Sequence, residues 1–519
     1  MQKREKYPIG EQDFKKIRTE NYLYIDKTRF ISSLLSGGSN YYFLARPRRF
    51  GKSLFLSTLQ YFFQGERELF KGLDIDSAPW DWEPYPVLRL DLNRERYAKP
   101  GLLDSVLEKI FRDWEKQYDV NPKDTNLSQR FETILQAAHM KTGRRVVVLV
   151  DEYDKPLVSN INKEEDFGYY RSQLAAIYSN FKSSAEHLRF VFLTGVSRFS
   201  KLSVFSDLNN LKDITFSNDY ADVCGITSQE LYDRLQSGVH SLAEELEVGH
   251  EEATILLKQN YDGYHFARKG SEIYNPWSLL NCLDESAIKD YWNETGLPTV
   301  VAESLKRINA DLEKFFDSYC SEEELKGFDL LNPKPLALLY QTGYLTIKEY
   351  DRRINSYRLG IPNKEVKRGL FKILLPYYVN TRTDNSDRVV DKIIRNFIFG
   401  EPEEAMRSLQ SYFAGIDYKM RIDNENNFHN ALYLLLDLIG LDTTTEVHTS
   451  DGSIDIVVKT DDYIYVIELK YDRSAEDALR QIKGKRYSRP YHTDGRKIIE
   501  IGVSFSSTTR CIEEWKISC

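Results

Sequence analysis

The sequence has few of the features that mark secreted, zinc-binding or membrane-spanning proteins. Its five cysteines are scattered, are odd in number and form no C-x-x-C pair, which predicts reduced thiols and no zinc site. Its eight histidines show no ligand spacing. No apolar run is long enough to cross a bilayer, and the polar first residues are unlike a signal peptide. These absences predict a cytoplasmic protein without a membrane partner.

A general excess of positive charge is absent as well. The net charge is −8 and the pI is about 5.7, so any contact with nucleic acid has to be local. Hydrophobic residues make up 41% and charged residues 29%, as expected for a globular protein. At roughly 100–200 residues per domain, the length predicts three or four domains.

The stretch YYFLARPRRFGKSL predicts an apolar strand, a basic turn and the start of a helix. Its Gly51-Lys52-Ser53 is the second half of a phosphate-binding loop, in which Lys52 would reach the β- and γ-phosphates and Ser53 would hold Mg²⁺. The motif asks for a glycine where this chain has Arg46, so a basic surface turn remains an alternative. The residues expected to contact the nucleotide here are Arg46, Pro47, Arg48, Arg49, Phe50, Gly51, Lys52, Ser53 and Leu54.

A second chemical signal follows the run RVVVLVDEYD, residues 145–154. Its continuous β-branched character predicts a strand buried on both faces of a parallel sheet, ending in Asp151 and Glu152. Ligands of α/β sheets bind at the carboxyl ends of strands. Asp151 can therefore share Mg²⁺ with Ser53, and Glu152 can orient or activate a water. A strand that simply ends in a polar turn is the alternative.

The next predicted strand, LRFVFLTGV, is followed by Ser197 and Arg198. Arg198 is the candidate sensor of a γ-phosphate, with Thr194 behind it, although a surface arginine fits the pattern equally well. A fifth short strand is expected after residue 200. Five strands with crossover helices predict a doubly wound parallel sheet, with one strand added between the two motif strands.

The middle of the chain predicts accessory modules. Residues 225–300 have a helical pattern and suggest a lid, and a helix followed by a polar hairpin near residues 338–366 suggests a winged-helix-like module. The predicted division is a nucleotide-binding domain over 1–220, a helical lid over 221–300, a winged-helix-like module over 301–380 and a last domain over 390–519.

A second site is predicted near the C-terminus. Strand-like runs over 453–459 and 463–470 flank Thr460-Asp461-Asp462, a hairpin signal, and this register sets Asp455 opposite Glu468. Alternation puts Glu468 and Lys470 on one face. A helix over 474–487 and a strand over 498–505 are predicted to complete this unit.

Two buried carboxylates need a metal or a partner, and Mg²⁺, or Mn²⁺, suits them. The metal can generate a hydroxide, Lys470 can position the water, and Glu425 can add a carboxylate. A structural ion pair is the alternative, and for Gln481 and Tyr487 an ordinary helix surface is as compatible as substrate contact. A strongly basic stretch adjoins this site, where a phosphate backbone would lie. It comprises Arg480, Lys483, Lys485, Arg486, Arg489, Arg496 and Lys497.

These residues resemble two known families. The segments RPRRFGKS, VVLVDEYDKPL and YDGYHF are similar to the bacterial AAA-ATPase-like family, and GSIDIVV, YVIELK and ALRQIKGKRY are similar to the PD-(D/E)XK nuclease superfamily. The resemblance implies a P-loop NTPase core with a lid and a winged-helix-like module, then a restriction-endonuclease-like α/β domain. It implies that Lys52, Ser53, Asp151 and Glu152 serve ATP. It also implies that Asp455, Glu468 and Lys470 serve a phosphodiester.

The resulting hypothesis is an ATPase that controls a metal-dependent nuclease, with DNA favoured over RNA as substrate. The alternative is a nucleotide-dependent switch or scaffold whose nuclease-like domain binds nucleic acid or a protein without cutting. The sequence leaves open whether the chain forms a homo-oligomer.

Overall fold

A computed structural model describes most of the chain. It covers residues 5–121, 126–160, 163–197, 210–292, 305, 312–326, 334–378, 386–414, 425–438, 442–449, 452–509 and 511–518. The chain divides into two compact units, the first made of residues 1–294 and 317–366 and the second of residues 295–316 and 367–519. Within the described ranges, no helix combines the length and the apolar character that crossing a bilayer requires.

The helices and strands are numbered along the chain. The helices are α1 Phe14–Thr19, α2 Arg29–Ser36, α3 Lys52–Phe63, α4 Leu102–Gln117, α5 Leu127–Thr142, α6 Lys155–Val158, α7 Glu164–Tyr178, α8 Asn180–Ser183, α9 Ser228–Arg234, α10 Gln236–Glu245, α11 His250–Tyr261, α12 Pro276–Glu285, α13 Leu312–Phe316, α14 Glu322–Lys326, α15 Pro335–Thr342, α16 Lys364–Tyr378, α17 Ser386–Ile398, α18 Pro402–Ala414, α19 Glu425–Leu438 and α20 Ala475–Gly484. The strands are β1 Tyr41–Ala45, β2 Val87–Asp91, β3 Val146–Asp151, β4 Leu188–Gly195, β5 Lys212–Asp213, β6 Ile226–Thr227, β7 Ile273–Tyr274, β8 Tyr319–Ser321, β9 Thr346–Asp351, β10 Ser356–Gly360, β11 Asp442–Thr449, β12 Gly452–Lys459, β13 Tyr463–Tyr471, β14 Lys497–Ser506 and β15 Cys511–Ser518.

The first unit is built on a parallel five-stranded sheet in the order β2-β3-β4-β1-β5. Every residue of β3 is buried, as its β-branched run predicts. The predicted added strand is β4, which lies between β1 and β3, the two strands that carry the motifs. All five strands point the same way, so the loops after β1, β2, β3 and β4 emerge at one edge of the sheet.

The rest of the first unit is helical with two small sheets. Helices α9 to α12 surround an apolar cluster that includes Leu235, Val239, Leu242, Leu257 and Leu279. Strands β8, β10 and β9 form an antiparallel sheet beside α14 and α15, so a helix followed by a hairpin occurs where the sequence predicted one. The finer division of this region into a lid and a winged-helix-like module stays a prediction.

The second unit contains a five-stranded sheet in the order β11-β12-β13-β14-β15. Only β13 and β14 are parallel to each other, and α20 forms the crossover between them. Helix α20 buries Leu479 and Ile482 against Ile454 and Val466 of the sheet. A Cβ at Gly502 of β14 would lie 2.3 Å from the carbonyl oxygen of Ala475, so the closeness of helix and strand requires glycine there.

The expectation that the strand after α20 completes this unit is wrong, because β15 follows it. β15 pairs with β14 on one side, and several of its side chains are exposed. An edge strand of this kind lacks the long apolar run by which a buried strand can be predicted.

Candidate functional site

The loop between β1 and α3 has the backbone of an anion-binding turn. Gly51 precedes α3 with φ of 93°, a left-handed conformation that favours glycine. A Cβ at this position would meet no atom within 4 Å, so the requirement for glycine comes from the backbone angle. Lys52 begins the helix, is 4% exposed, and donates to the carbonyl oxygens of Arg46 and Pro47 at 3.0 and 3.1 Å. Its ammonium therefore lies along the inside of the loop.

Asp151, at the end of β3, collects three donors. Ser53 Oγ donates to Asp151 Oδ1 at 3.2 Å, and Thr194 Oγ1 donates to the same oxygen at 2.9 Å. Arg89 of β2 donates to Oδ2 at 3.1 Å. The structure thus brings together the serine and the aspartate that the sequence assigned to one Mg²⁺. It adds Arg89 as a charge partner that keeps the buried carboxylate compensated.

The carboxylates that follow β3 have separate environments. Glu152 has φ of 53° and its Oε1 lies 3.6 Å from Lys52 Nζ, so it faces the loop. Asp154 is 1% exposed and accepts the backbone N–H groups of Val196 and Ser197 at 3.1 and 2.6 Å. Burial, together with the charge of Glu152, raises the pKa of Asp154 to about 6. Asp154 ties the end of β3 to the tip of β4.

Arg46, which stands where the motif has its first glycine, turns away from the loop interior. Its guanidinium is buried and donates to the carbonyl oxygens of Ala45, Thr215 and Tyr220, each at 2.9 Å. It also lies over the ring of Phe266 at 4.4 Å. Desolvation lowers its pKa. The side chain is a structural anchor of the loop in this structure, and only the backbone of Arg46 faces the loop interior, through the carbonyl that binds Lys52.

Three other loop residues, like Arg46, have side chains that contact other parts of the protein. Arg49 donates to the carbonyl oxygen of Tyr291 at 2.9 Å and lies 4.2 Å over the ring of Trp277. Phe50 is buried against Tyr264 and Phe266. Pro47 lies close to Gly343, where a Cβ would approach within 2.7 Å.

Arg48 differs from the other two arginines of the loop. Within the described part of the chain, its side chain makes no hydrogen bond or ion pair. Of the three loop arginines, Arg48 alone therefore has a side chain that is not held by protein contacts.

An apolar cleft adjoins the loop. It is lined on one side by Phe50, Gly51 and Leu54, and on the other by residues that include Tyr24 and Cys224. Leu54 therefore lines a cleft beside the loop. Its predicted contact with a nucleotide stays a prediction. Arg198, the predicted γ-phosphate sensor, lies outside the described residues.

The second site lies on the hairpin of β12 and β13. The two strands pair from Lys459 with Ile464 to Ile456 with Ile467, so Asp455 and Glu468 are the next residues of the two strands, in line with the predicted register. Asp455 Oδ2 accepts the backbone N–H of Leu469 at 2.7 Å. Lys470 Nζ donates to Glu468 Oε1 at 2.8 Å. The structure therefore brings together all three residues predicted for the centre of this site.

Helix α20 adds Gln481, whose amide donates to Glu468 Oε1 and to the hydroxyl of Tyr487. Burial and the nearby charge of Asp455 raise the pKa of Glu468 to about 7. Burial also raises the pKa of Asp455, against the N–H of Leu469 and the positive charges of His429 and Lys470. The negative charges of Asp455 and Glu468 oppose each other, and a cation between the two carboxyl groups would relieve this repulsion.

One oxygen of this cluster has no partner. Among the described residues, no group donates a hydrogen bond to the buried Glu468 Oε2, whereas Oε1 has two donors. An orphaned carboxylate oxygen next to a second carboxylate fits a divalent cation. No group of three or more His, Cys, Asp and Glu side chains that could hold a metal occurs in the described residues.

Helix α19 borders the same cluster. Its His429 Nε2 lies 3.1 Å from the carbonyl oxygen of Asp455. Glu425 is the first residue of α19, and its side chain lies outside the described part of the structure. The predicted contribution of Glu425 to the site therefore stays a prediction.

The basic stretch after Glu468 is mostly exposed. Arg480 pairs with Asp477, and Arg496 pairs with Asp494 at 2.5 Å. The remaining basic residues make no ion pair within the described chain and are exposed: Lys483, Lys485, Arg486, Arg489 and Lys497. These five cations are available to an external anion.

Comparison with known proteins matches a family model to each of the two regions that carry these side-chain clusters. Residues 8–205 match the model of a family described as predicted AAA-ATPase, and residues 423–515 match the PD-(D/E)XK nuclease superfamily. A protein of Azotobacter chroococcum mcd 1, named "Uncharacterized protein in vnfD 5'region", is 34% identical over an alignment of 524 positions that covers 98% of each of the two chains. The chain belongs to the AAA-ATPase-like family. Along this member of the family, the match to the AAA-ATPase-like model ends shortly after β4. The match to the nuclease superfamily spans α19 to β15.

Several contacts of this AAA-ATPase-like protein were not predicted from its sequence. Arg89 had a usable signal, since it is a charge inside an otherwise apolar strand. Asp154 also had one, because the second aspartate of DEYD follows a buried strand. The contact of His429 with Asp455 depends on how α19 packs against the hairpin, for which a single sequence carries no signal.

Proposed function

We propose that this protein binds ATP with Mg²⁺ at the loop of its first unit, and that the bound nucleotide controls a metal-dependent nuclease site in its second unit. The observation that carries the proposal is the presence of two acidic clusters on one chain, each with its own lysine. Lys52 and Glu152 lie 3.6 Å apart in the first, and Lys470 and Glu468 lie 2.8 Å apart in the second. Both family matches support the assignment.

In the first unit, the phosphates would lie over the N-terminus of α3, where free N–H groups and the helix dipole favour an anion. Lys52 would leave the loop carbonyls for the β- and γ-phosphates. Ser53 and Asp151 would hold Mg²⁺, which would offset negative charge on the phosphates. Glu152 would orient the attacking water. The hydrogen bond between Ser53 and Asp151 supports this pairing.

The apolar cleft beside the loop would take the base. It begins at Gly51 and Leu54 on the helix that would bind the phosphates, so a nucleoside could reach it from the same anion site. Lys27, on its wall, is already paired with Glu230 at 2.6 Å and would not compete for a phosphate.

In the second unit, Asp455 and Glu468 would hold Mg²⁺ or Mn²⁺. The orphaned Oε2 of Glu468 supports this fit. A bound metal supplies a water of lowered pKa and offsets charge on the phosphoryl group. Lys470 would orient that water, and Gln481 would fix the carboxylate of Glu468. The exposed cations between Lys483 and Lys497 would bind the phosphate backbone of nucleic acid, with DNA favoured.

The ATP site is tested by nucleotide binding. We expect Lys52→Ala to abolish measurable ATP binding, while Lys182→Ala, which removes an exposed lysine of the same unit, leaves it unchanged. Isothermal titration of wild type and both variants with ATP in Mg²⁺ measures this. Unaltered affinity in Lys52→Ala would refute the loop as the nucleotide site.

The nuclease site is tested by cleavage of linear and single-stranded DNA and of RNA, in Mg²⁺ and in Mn²⁺. We expect Glu468→Gln to abolish cleavage, and Glu476→Gln, which changes an exposed glutamate of α20, to retain it. Equal cleavage by wild type and Glu468→Gln would remove the chemistry from this site.

A switch or scaffold without cleavage is the second candidate. It is favoured by the acidic pI of about 5.7 and by a loop with a single glycine, in which Arg46 stands where the motif has its first glycine. Salt-sensitive binding of DNA with no cleavage in either metal would support it.

A further inference from the structure

Three cations stand beside the nucleotide loop at the carboxyl edge of the parallel sheet. Arg48 lies in the loop after β1, Arg96 lies shortly after β2, and Lys155 is the first residue of α6, after β3. Arg48 and Lys155 are half-buried, and Arg96 is exposed. Three separate segments thus deliver positive charge to the sheet edge at which ligands of parallel sheets bind.

None of the three side chains makes a hydrogen bond or ion pair within the described residues. The carboxylates nearest to them are engaged elsewhere. Glu152 faces Lys52 at 3.6 Å, and Asp154 accepts the N–H groups of Val196 and Ser197.

The three cations are close enough to influence one another. Burial lowers the pKa of Lys155, and the charges of Arg48 and Arg96 lower it further, against the opposite effect of Glu152 and Asp154. Like charges gathered beside a partly desolvated lysine are unfavourable, and an anion placed among them reduces that cost.

We propose that Arg48, Arg96 and Lys155 form an anion site for the terminal phosphate of a nucleoside triphosphate, by which the protein distinguishes triphosphate from diphosphate. The inference rests on the proposed binding of ATP at the loop. Lys52 is the link between the two, because it begins the phosphate-binding helix and faces Glu152, the carboxylate that also acts on Lys155.

The test compares affinities for a non-hydrolysable ATP analogue and for ADP, both in Mg²⁺, by isothermal titration. We expect Lys155→Gln to weaken binding of the analogue by about tenfold or more, the loss of one charge-assisted hydrogen bond, with ADP affinity changed less than about twofold. Arg96→Gln is a second variant with the same expectation, and its exposed side chain leaves the fold intact. Lys182→Gln is the matched control and keeps both affinities.

The outcomes separate this inference from the proposed function. If wild type binds both nucleotides and both variants keep the wild-type ratio of the two affinities, the three-cation site is refuted while ATP binding stands. Equal weakening of analogue and ADP also refutes it, because the cations would then act on the other phosphates or on the fold. If wild type binds neither nucleotide, the proposed function fails and this inference fails with it.

Discussion

Glu365 offers a test of how the first unit is held together around the nucleotide loop. It is 1% exposed, and its Oε1 accepts the backbone N–H groups of Tyr291 and Trp292 at 2.5 and 2.9 Å. The carbonyl oxygen of Tyr291 in turn accepts from Arg49 of the loop. Burial raises the pKa of Glu365 from 4.5 to about 7. The carboxyl group therefore binds its proton more tightly in the folded protein than in the unfolded chain.

The sign and size of the effect follow from this difference. Above pH 4.5 the unfolded chain begins to lose the proton, whereas the folded protein keeps it until about pH 7, so stability falls as the pH rises through this range. With about 1.36 kcal/mol per pKa unit, the full loss is about 3 kcal/mol, of which about 2.5 kcal/mol falls between pH 5 and pH 8. Glu365→Gln keeps an acceptor oxygen and removes the titration.

Thermal unfolding at pH 5 and at pH 8 measures the effect. Glu365→Gln should match wild type closely at pH 5 and unfold several degrees above it at pH 8. Glu244→Gln, an exposed glutamate on α10, should show no such pH-dependent gain. The same offset from wild type at both pH values, or a gain only at pH 5, would refute the reasoning.

Three further changes test other parts of the structure. Gly51→Ala forces an alanine to φ of 93°. We expect this variant to lose about 1–2 kcal/mol of unfolding free energy, measured by urea unfolding, and to bind ATP more weakly, measured by titration. Wild-type values in both assays would contradict this. Glu115→Ala leaves the guanidinium of Arg130 buried without its partner and should lower the unfolding free energy by about 3 kcal/mol. The control Glu108→Ala breaks an exposed pair with Arg112 and should lower it by less than about 1 kcal/mol. Equal losses of the two variants in urea unfolding would contradict the importance of burial for the first pair. Gln481→Ala should lower cleavage by about 10–100-fold with little change in unfolding temperature, and full activity would exclude a role in holding Glu468.

Much of the first unit could be predicted because its signals are local. The run VVVLVD identifies β3, and GKS identifies the start of α3, which begins at Lys52. The side-chain directions of the loop could not be predicted in this way. Arg46 and Arg49 have the same local signal as Arg48, yet the carbonyls and rings that bind them come from residues far along the chain.

The second site shows the same division. A two-residue period and a hairpin signal were enough to pair Asp455 with Glu468, since register follows from the turn and the alternation alone. The contact of Gln481 with Glu468 requires α20 to cross from β13 to β14 at a particular distance. That distance is set by packing at Gly502 and by the apolar face of α20, which no local pattern specifies.

The central claim is that nucleotide binding in the first unit controls cleavage by the second. Its most direct test is the rate of DNA cleavage by wild type and by Lys52→Ala, each with and without ATP, beside Glu468→Gln as the inactive reference. We predict that ATP changes the wild-type rate, that Lys52→Ala is insensitive to ATP, and that Glu468→Gln does not cut in any condition. Cleavage that depends on Glu468 but proceeds at one rate with or without ATP would contradict the claim.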